Sequence, residues 1–423
     1  MPTKIIGAGL VLTCNPNFDI LTNAGVVIQE GTIIELGDMA YLCKNYPNAP
    51  VFFDKKALLL PAFINPHVHF EFSGQRCFEY GSFEGWLSSL LKKRTGVLEK
   101  SQISMQKTIN AQILSGVGSV GAISSYGLDR YCLKDSPLRV VFFDELIGGQ
   151  ATSSNFKAFS QRHTLTKQLK SARFIPAIAI HAPYSVHKDL AKQVLHTFKS
   201  SVISTHFLES QAELEWLENQ QGWFDHFYTE ILKVVPSPSF ASPFEFLDLF
   251  KNQRLLLVHA LFANRQHLKH AKRISAQTTL ITCPRSNRLL SGKILKTGLA
   301  KQLNIPIAIA TDGESSNYNI NFLEELRIAL WSFQKPLLDL LPEVLLGATL
   351  HASKALGLNT GSLEKGKDAD LALFGLSGQI EPTLAYILNW LLHARRVKDL
   401  WIQGERVVLA WRLKTLLSQH ALS

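Results

Sequence analysis

Residues 58–71 read LLLPAFINPHVHFE, an apolar run that ends in two histidines one residue apart. Strands that are buried on both faces of a parallel sheet have nearly continuous apolar sequences, so the run predicts such a strand. Ionisable side chains at the end of a buried strand cost free energy unless they have a partner or a function. His67 and His69 share one side of that strand, because side chains at positions i and i+2 point the same way.

Further apolar runs follow along the chain, and helix-like segments separate them. They are residues 117–124, 138–146, 174–182, 202–209, 254–260, 279–284 and 305–312. With the first run, at residues 58–65, these make eight, and eight strands alternating with helices predict an α/β fold, a (β/α)8 TIM-like barrel. The helix after the fifth run has a start signal, since Ser210 and Glu213 have the spacing of a capping box.

The two ends of the chain have a different pattern. Short β-like stretches with turn residues occupy the first 55 or so residues, including a hairpin signal at Glu30-Gly31, and recur at residues 361–376 and 397–410. We therefore predict a small β-sandwich domain built from both termini, residues 1–57 and 355–423. The barrel is predicted to occupy residues 58–354.

Composition excludes several classes of protein. With 423 residues, 46% of them hydrophobic, the chain can bury a large core, which excludes wholesale disorder. No apolar run reaches the roughly 18 residues of a membrane span, and no signal peptide is evident, so we expect a cytoplasmic protein that does not bind membranes. Five widely spaced cysteines without a CxxC pair argue against a disulfide framework; Cys77 and Cys283 lie near the motifs but fit buried thiols better.

The net charge of +10 could attract an anionic partner. The basic residues are scattered, however, and no pattern of a nucleic-acid-binding module occurs, so no nucleic-acid partner is expected. The charge leaves room for an anionic small-molecule substrate.

Several of the other apolar runs also end in ionisable residues. They are His181, His206, His259 and Asp312. In a barrel these strand ends converge on one face, where catalytic loops lie. The imidazoles of His67, His69 and His206 with the carboxylate of Asp312 suit one divalent metal ion, Zn²⁺ or Fe²⁺, and leave a position for water. Taken singly, His206 could be a core histidine, and Asp312 could belong to an Asp-Gly turn.

The neighbouring polar residues have roles that fit a hydrolytic reaction. Glu209 follows His206 by three residues and can move protons if an apolar setting raises its pKa; it could also simply favour a helix N-terminus. His259 is placed to hydrogen-bond the attacking oxygen, and His181 to donate to a ring nitrogen of the substrate. A buried structural histidine is the alternative for each.

Together these motifs resemble the amidohydrolase superfamily. The matching segments are NPHVHFE (65–71), HAPYS (181–185), HFLES (206–210), VHA (258–260), CPRSN (283–287) and ATDGESSN (310–317). The resemblance implies the mononuclear deaminases of nucleobases and nucleosides. His181 stands where binuclear members usually have a bridging carboxylated lysine, which argues against the binuclear type.

The segment HVHFEFSGQRCFEYGSFEGWL (67–87) is similar to aminodeoxyfutalosine deaminases of the futalosine route to menaquinone. The resemblance implies hydrolytic loss of the 6-amino group from an adenine nucleoside that bears a carboxyphenyl group. It also implies that Trp86 helps to cover the nucleoside, although an apolar anchor would fit as well, and that the enzyme is a homodimer. Glu84 and Glu99 are candidates for the acid that binds the ribose, and Glu71 has no assigned role.

Other functions stay open. The scaffold could deaminate S-adenosylhomocysteine, 5′-methylthioadenosine, guanine or cytosine, or it could be a chlorohydrolase or carbamate hydrolase. An inactive metal-binding barrel and a basic nucleic-acid binder are the non-enzymatic alternatives. The complete set of candidate ligands and proton carriers argues against the inactive barrel.

Overall fold

The structure is a computed structural model, and it describes residues 3–74, 78–99, 101–149, 152–233 and 240–407. The strands in these residues are β1 Lys4–Leu12, β2 Ile20–Gln29, β3 Thr32–Asp38, β4 Val51–Pro61, β5 Phe63–Val68, β6 Val117–Ser124, β7 Arg139–Leu146, β8 Phe174–Ile180, β9 Ile203–Phe207, β10 Leu255–His259, β11 Thr278–Thr282, β12 Ile307–Ile309, β13 Leu371–Gly375, β14 Asp399–Ile402 and β15 Glu405–Arg406.

Helices lie between most of these strands. They are α1 Met39–Asn45, α2 Phe83–Glu99, α3 Ser101–Leu114, α4 Arg130–Lys134, α5 Ser153–Gln168, α6 Lys188–Thr197, α7 Gln211–Asn219, α8 Trp223–His226, α9 Pro243–Leu247, α10 Arg265–Ile274, α11 Pro284–Ser291, α12 Thr297–Gln302, α13 Phe322–Ser332, α14 Leu337–Gly347, α15 Leu350–Leu356 and α16 Leu384–His393. A π-helix, Phe227–Ile231, follows α8, and a 3₁₀ turn, Asp248–Phe250, follows α9. In the described part of the chain, none of the helices has the length and apolar character needed to cross a bilayer.

Strands β5 to β12 form one parallel sheet in sequential order, which confirms the predicted barrel fold. Every residue of β6 and β7 is buried, as expected for strands covered on both faces. The first and last strands meet through Asn65, whose side chain donates to the Thr311 hydroxyl at 2.7 Å and accepts from the Thr311 amide at 3.2 Å. The carboxyl ends of all eight strands therefore surround one opening.

The predicted first strand, residues 58–65, has the wrong bounds. Its residues 58–61 complete β4, which pairs with β1 and β13 in the other sheet, and β5 begins only at Phe63. Because residues 57–61 of β4 and all of β5 are buried, one uninterrupted apolar run spans two strands of different sheets. Hydrophobicity alone cannot locate the boundary between the two strands at Pro61–Ala62.

The second sheet is mixed, with strand order β15-β14-β13-β4-β1-β2-β3, and it combines segments from both ends of the chain. The predicted hairpin is present: Gln29 pairs with Thr32, and Glu30 and Gly31 have φ angles of 50° and 80°. A two-residue turn with two positive φ angles fits the twist of the flanking strands. The domain bounds stay a prediction, and residues 408–423 of the predicted C-terminal segment lie outside the described residues.

A buried ion pair joins this sheet to the barrel. Arg139, the first residue of β7, donates to both carboxylate oxygens of Asp370, from Nε at 3.0 Å and from Nη2 at 3.1 Å. The backbone amide of Ala62 donates to the carbonyl oxygen of Asp370 at 2.9 Å. A bidentate contact of this kind fixes orientation as well as distance, so it helps to fix the position of the second sheet against the barrel.

Candidate active site

The predicted site residues converge at the carboxyl ends of the barrel strands. His67 lies in β5, His206 in β9 and His259 at the end of β10, and Asp312 follows β12. The ring centroid of His67 is 4.9 Å from those of His69 and His206, and the centroid of His206 is 5.5 Å from that of His259. Residues up to 245 positions apart in the chain therefore share one small volume, as the strand-end argument predicted.

Three imidazoles and one carboxylate form a candidate metal centre. Ring nitrogens of His67, His69 and His206 lie within 4.8 Å of one another. The Asp312 Oδ1 atom lies 3.7 Å from His67 Nε2 and 3.5 Å from His69 Nε2. Both ring nitrogens of His67 and Nδ1 of His69 are buried without a hydrogen-bond partner among the described residues. Buried, unpaired lone pairs that point into one volume fit a divalent ion bound by nitrogen and oxygen.

The protonation states of these ligands also suit a metal. Burial, aided by the neighbouring His67, lowers the pKa of His69 to about 3 and that of His206 well below its usual value. Both rings are therefore neutral at pH 7, the form that binds metals. The Nδ1–H of His206 donates to the carbonyl oxygen of His181 at 3.1 Å, which leaves Nε2 as its ligand atom.

Asp312 is held firmly and stays ionised. Its Oδ2 atom accepts from the hydroxyls of Ser286 at 2.8 Å and Ser316 at 2.7 Å, and its Oδ1 from the amide of Gly313 at 2.9 Å. Burial alone would raise the pKa of Asp312, but the adjacent imidazoles of His67, His69 and His259 hold it well below the usual range. The residue has a φ of 60°, a strained conformation for a non-glycine residue and one that recurs at functional sites.

His259 faces Glu209 across the site. Its Nδ1–H donates to Asn287 Oδ1 at 2.8 Å; the Asn287 amide group donates to Thr282 Oγ1 at 3.3 Å, which fixes the orientation of that side chain. Burial lowers the pKa of His259, so the ring is neutral and its Nε2 carries a lone pair. Nε2 lies 3.5 Å from Glu209 Oε1. The ring can therefore accept a hydrogen bond from a group bound between the two.

Glu209 is positioned by the start of α7. Ser210 caps this helix by accepting from the Glu213 amide at 3.1 Å, as predicted. Instead of the Ser210 amide, which a full capping box requires, the Glu213 carboxylate accepts from the amides of Leu208 at 2.7 Å and Glu209 at 3.1 Å, two residues and one residue before the cap. Burial, and next the charge of Asp312, raise the pKa of Glu209 well above its usual value. A carboxyl group that holds its proton at neutral pH can act as a general acid.

His181 directly follows β8 and also lines the cavity. Burial lowers its pKa to about 4, so the ring is neutral. Its Nδ1 lies 2.5 Å from the Ser185 hydroxyl oxygen. Donation from Nε2 to a substrate requires that this hydroxyl donate to Nδ1, because a neutral ring carries a single proton.

A cavity of about 480 Å³ opens beside these residues. Its walls include His69, His181, His206, Glu209, His259 and Asp312, and Trp86 of α2. The Trp86 Nε1–H donates to the carbonyl oxygen of Ser315 at 2.8 Å, so the side chain both lines the cavity and anchors its helix. Glu84 and Glu99, the candidates for a ribose-binding acid, are absent from the walls, and Glu99 is exposed.

The sequence analysis assigned no role to two buried acids, Glu71 and Glu145. Glu71 is not among the described residues that line the cavity. Its carboxylate accepts from the amides of Ser125, Tyr126 and Leu128 at 2.7 to 3.2 Å and so holds the loop after β6. Glu145, at the end of β7, lines the cavity.

The two carboxylate oxygens of Glu145 differ in their hydrogen bonding. Oε2 accepts from the Ser125 hydroxyl at 2.6 Å, whereas Oε1 has no hydrogen-bond partner among the described residues. Burial raises its pKa to about 7. The third apolar run ends in Asp144-Glu145, so the strand-end signal could have identified this acid. Of the two cysteines near the motifs, Cys283 is a buried free thiol, as expected, and Cys77 lies outside the described residues.

Comparisons with known proteins agree with this geometry. The model of the amidohydrolase family matches residues 58–407. A protein of Helicobacter pylori named adenosine deaminase is 44% identical over 96% of this chain and 100% of its own length. The aminodeoxyfutalosine deaminase of a Nitratiruptor species is 40% identical over 87% of this chain and 91% of its own length.

A solved structure is similar over almost the whole chain. The crystal structure of Helicobacter pylori aminofutalosine deaminase in complex with methylthio-coformycin superposes with a TM-score of 0.92. It is 43% identical and covers 96% of this chain and 100% of that one.

Proposed function

The chain belongs to the amidohydrolase family, and from this premise we propose that it hydrolyses the C6–amino bond of 6-amino-6-deoxyfutalosine, giving futalosine and ammonia for menaquinone biosynthesis. One observation carries the proposal: Glu209, a buried acid whose pKa burial raises well above its usual value, lies beside a metal-type cluster of imidazoles and an ionised Asp312. An acid, a base and a cation site around one cavity are what hydrolysis of an aromatic amine requires.

The metal centre in this proposal consists of His67, His69, His206 and Asp312, and the ion is Zn²⁺ or Fe²⁺. The unpaired buried nitrogens of His67 and His69, and the ring nitrogens of the three histidines within 4.8 Å of one another, support this assignment. When bound, such an ion lowers the pKa of a water molecule towards about 7, which makes a nucleophile available at neutral pH.

Two protein side chains, Asp312 and Glu209, carry out the proton transfers of the reaction. Asp312, ionised, accepts the first proton from the attacking water. Glu209 donates its proton to N1 of the purine, which makes C6 electrophilic, and then delivers a proton from the new C6 hydroxyl to the leaving amino group. The C6–oxygen bond forms and the C6–nitrogen bond breaks, and the proton held by Asp312 returns to Glu209.

Two histidines and a tryptophan orient the reactants. His259 accepts a hydrogen bond from the attacking oxygen at Nε2, which has no hydrogen-bond partner among the described residues. His181 holds the purine edge, and Trp86 closes the cavity over the nucleoside. Exclusion of water from this cavity strengthens each of these hydrogen bonds. A homodimer and a cytoplasmic location stay predictions.

A second candidate substrate is a smaller adenine nucleoside such as 5′-methylthioadenosine. The observation that favours it is the methylthio-coformycin bound to the similar Helicobacter pylori enzyme. Both reactions use the same proton transfers at C6, so the geometry of the metal centre does not separate them.

Ammonia release with a panel of substrates separates the candidates. We expect the highest kcat/KM with aminodeoxyfutalosine, and lower values with 5′-methylthioadenosine, S-adenosylhomocysteine, guanine and cytosine. The tail of aminodeoxyfutalosine adds apolar area and a charge that can be bound, and this binding favours it over the others. Good turnover of another purine with none of aminodeoxyfutalosine would refute the proposal.

A further inference from the structure

The cavity has two ends with different chemistry. The metal centre, Glu209 and His259 occupy the deep end. The opposite end is apolar, and its walls come from α2, the segment after β7 and the π-helix after α8: Leu87, Leu90, Leu91, Ile147, Phe227 and Leu232. Apolar surface that lines an open cavity is available to an apolar part of a ligand.

One face of α2 runs along this cavity. The face consists of Trp86, Leu87, Leu90, Leu91 and Arg94, spaced as residues on one side of a helix. Trp86 is fixed near the metal centre, because it donates to the carbonyl of Ser315, three residues after Asp312. Arg94 follows Trp86 by eight residues, which at the rise of an α-helix is a distance of about 12 Å along the axis.

Arg94 is unusual among the residues around the cavity. Of the described residues that line it, Arg94 alone is a lysine or arginine, and the other charged types there are the acids Glu145, Glu209 and Asp312. Its side chain is exposed at the mouth of the cavity. The guanidinium hydrogen-bonds the side chain of Tyr126, another residue of the wall, so it is directed towards the cavity.

We propose that Arg94 is a specificity-determining residue that binds the carboxylate of the substrate's carboxyphenyl tail, while the apolar end of the cavity holds the phenyl ring. This inference rests on the proposed function, which supplies a substrate with that tail. A guanidinium has five N–H donors and presents them in pairs that match a carboxylate, so it can bond both Tyr126 and a substrate carboxylate. The positions of Trp86 and Arg94 on one helix set the distance between the base-binding end and the acid-binding end.

The test compares Arg94→Met with wild type on two substrates that differ only at the carboxyl group, which is charged in one and an uncharged methyl ester in the other. They are aminodeoxyfutalosine and its carboxylic methyl ester, and the readout is kcat and KM for ammonia release. For wild type we expect the ester to have a kcat/KM about 10- to 100-fold lower than the acid, mainly through KM. In Arg94→Met the acid should fall to the level of the ester, and the ester should be unchanged.

Two control variants separate the effect of the guanidinium of Arg94 from a general effect of positive charge on this helix. Lys92→Met removes an exposed cation from the same helix at a position outside the cavity wall, and it should leave both substrates unchanged. Arg94→Lys keeps the charge without the paired donors and should fall between wild type and Arg94→Met. Thermal unfolding of each variant checks that the fold is intact.

The outcomes are distinct. If Arg94→Met lowers turnover of acid and ester equally, or of neither, Arg94 does not bind the carboxylate and the inference is wrong. If wild type turns over neither substrate but deaminates 5′-methylthioadenosine, the proposed function fails, and the inference fails with it. A loss that is confined to the acid supports both.

Discussion

Replacing Glu209 by Gln is expected to lower kcat by about 10²- to 10⁴-fold, the usual contribution of general acid–base catalysis. Glutamine has nearly the same shape but no transferable proton, so N1 of the purine cannot be protonated. The side chain is outside the proposed ligand set, and metal content should therefore stay at the wild-type level. Ammonia release and metal analysis on the same preparation give both numbers.

The matched control is Glu218→Gln, which makes the same chemical change at an exposed position in α7, the helix that follows Glu209. This variant should retain wild-type activity. If Glu209→Gln also retained wild-type kcat, the proton transfers would be misassigned. Loss of metal in Glu209→Gln would instead show that Glu209 belongs to the metal centre.

Replacing His206 by Ala should weaken metal binding by more than about 100-fold and abolish deamination. Loss of an outer partner of a metal ligand alone costs 10- to 100-fold in affinity, so loss of the ligand itself should exceed this range. His206 is buried between His67, His69 and His259, and alanine offers no ring nitrogen at this position. The measurement is the metal-to-protein ratio after dialysis against a weak chelator.

His196→Ala serves as the control, because this histidine is exposed on α6 and remote from the cavity walls. It should keep the wild-type metal ratio. An unchanged ratio in His206→Ala, with the far-ultraviolet circular dichroism of wild type, would remove His206 from the ligand set.

The barrel and the clustering of its candidate metal ligands could be predicted because one physical rule links them. A strand buried on both faces tolerates an ionisable residue only where it ends, so His206, His259 and Asp312 mark strand ends in the sequence itself. Their convergence then follows from the parallel arrangement, without knowledge of side-chain contacts. The same rule marks Glu145, which the sequence reasoning left unassigned.

Other features depend on tertiary contacts that leave no local pattern. The role of Glu71 arises from three amides of a loop more than fifty residues away. The left-handed conformations of His259 and Asp312, with φ angles of 67° and 60°, are imposed by the site against local preference. Arg94 lies in a helix whose face towards the cavity cannot be chosen until the helix is docked.

The most direct test of the central claim, that four distant residues bind one divalent ion, is anomalous diffraction from crystals of the zinc-loaded protein. The account predicts a single anomalous peak about 2.0 to 2.2 Å from one nitrogen each of His67, His69 and His206 and from one oxygen of Asp312. A peak at another place, two peaks in the cavity, or no peak despite bound zinc would contradict it.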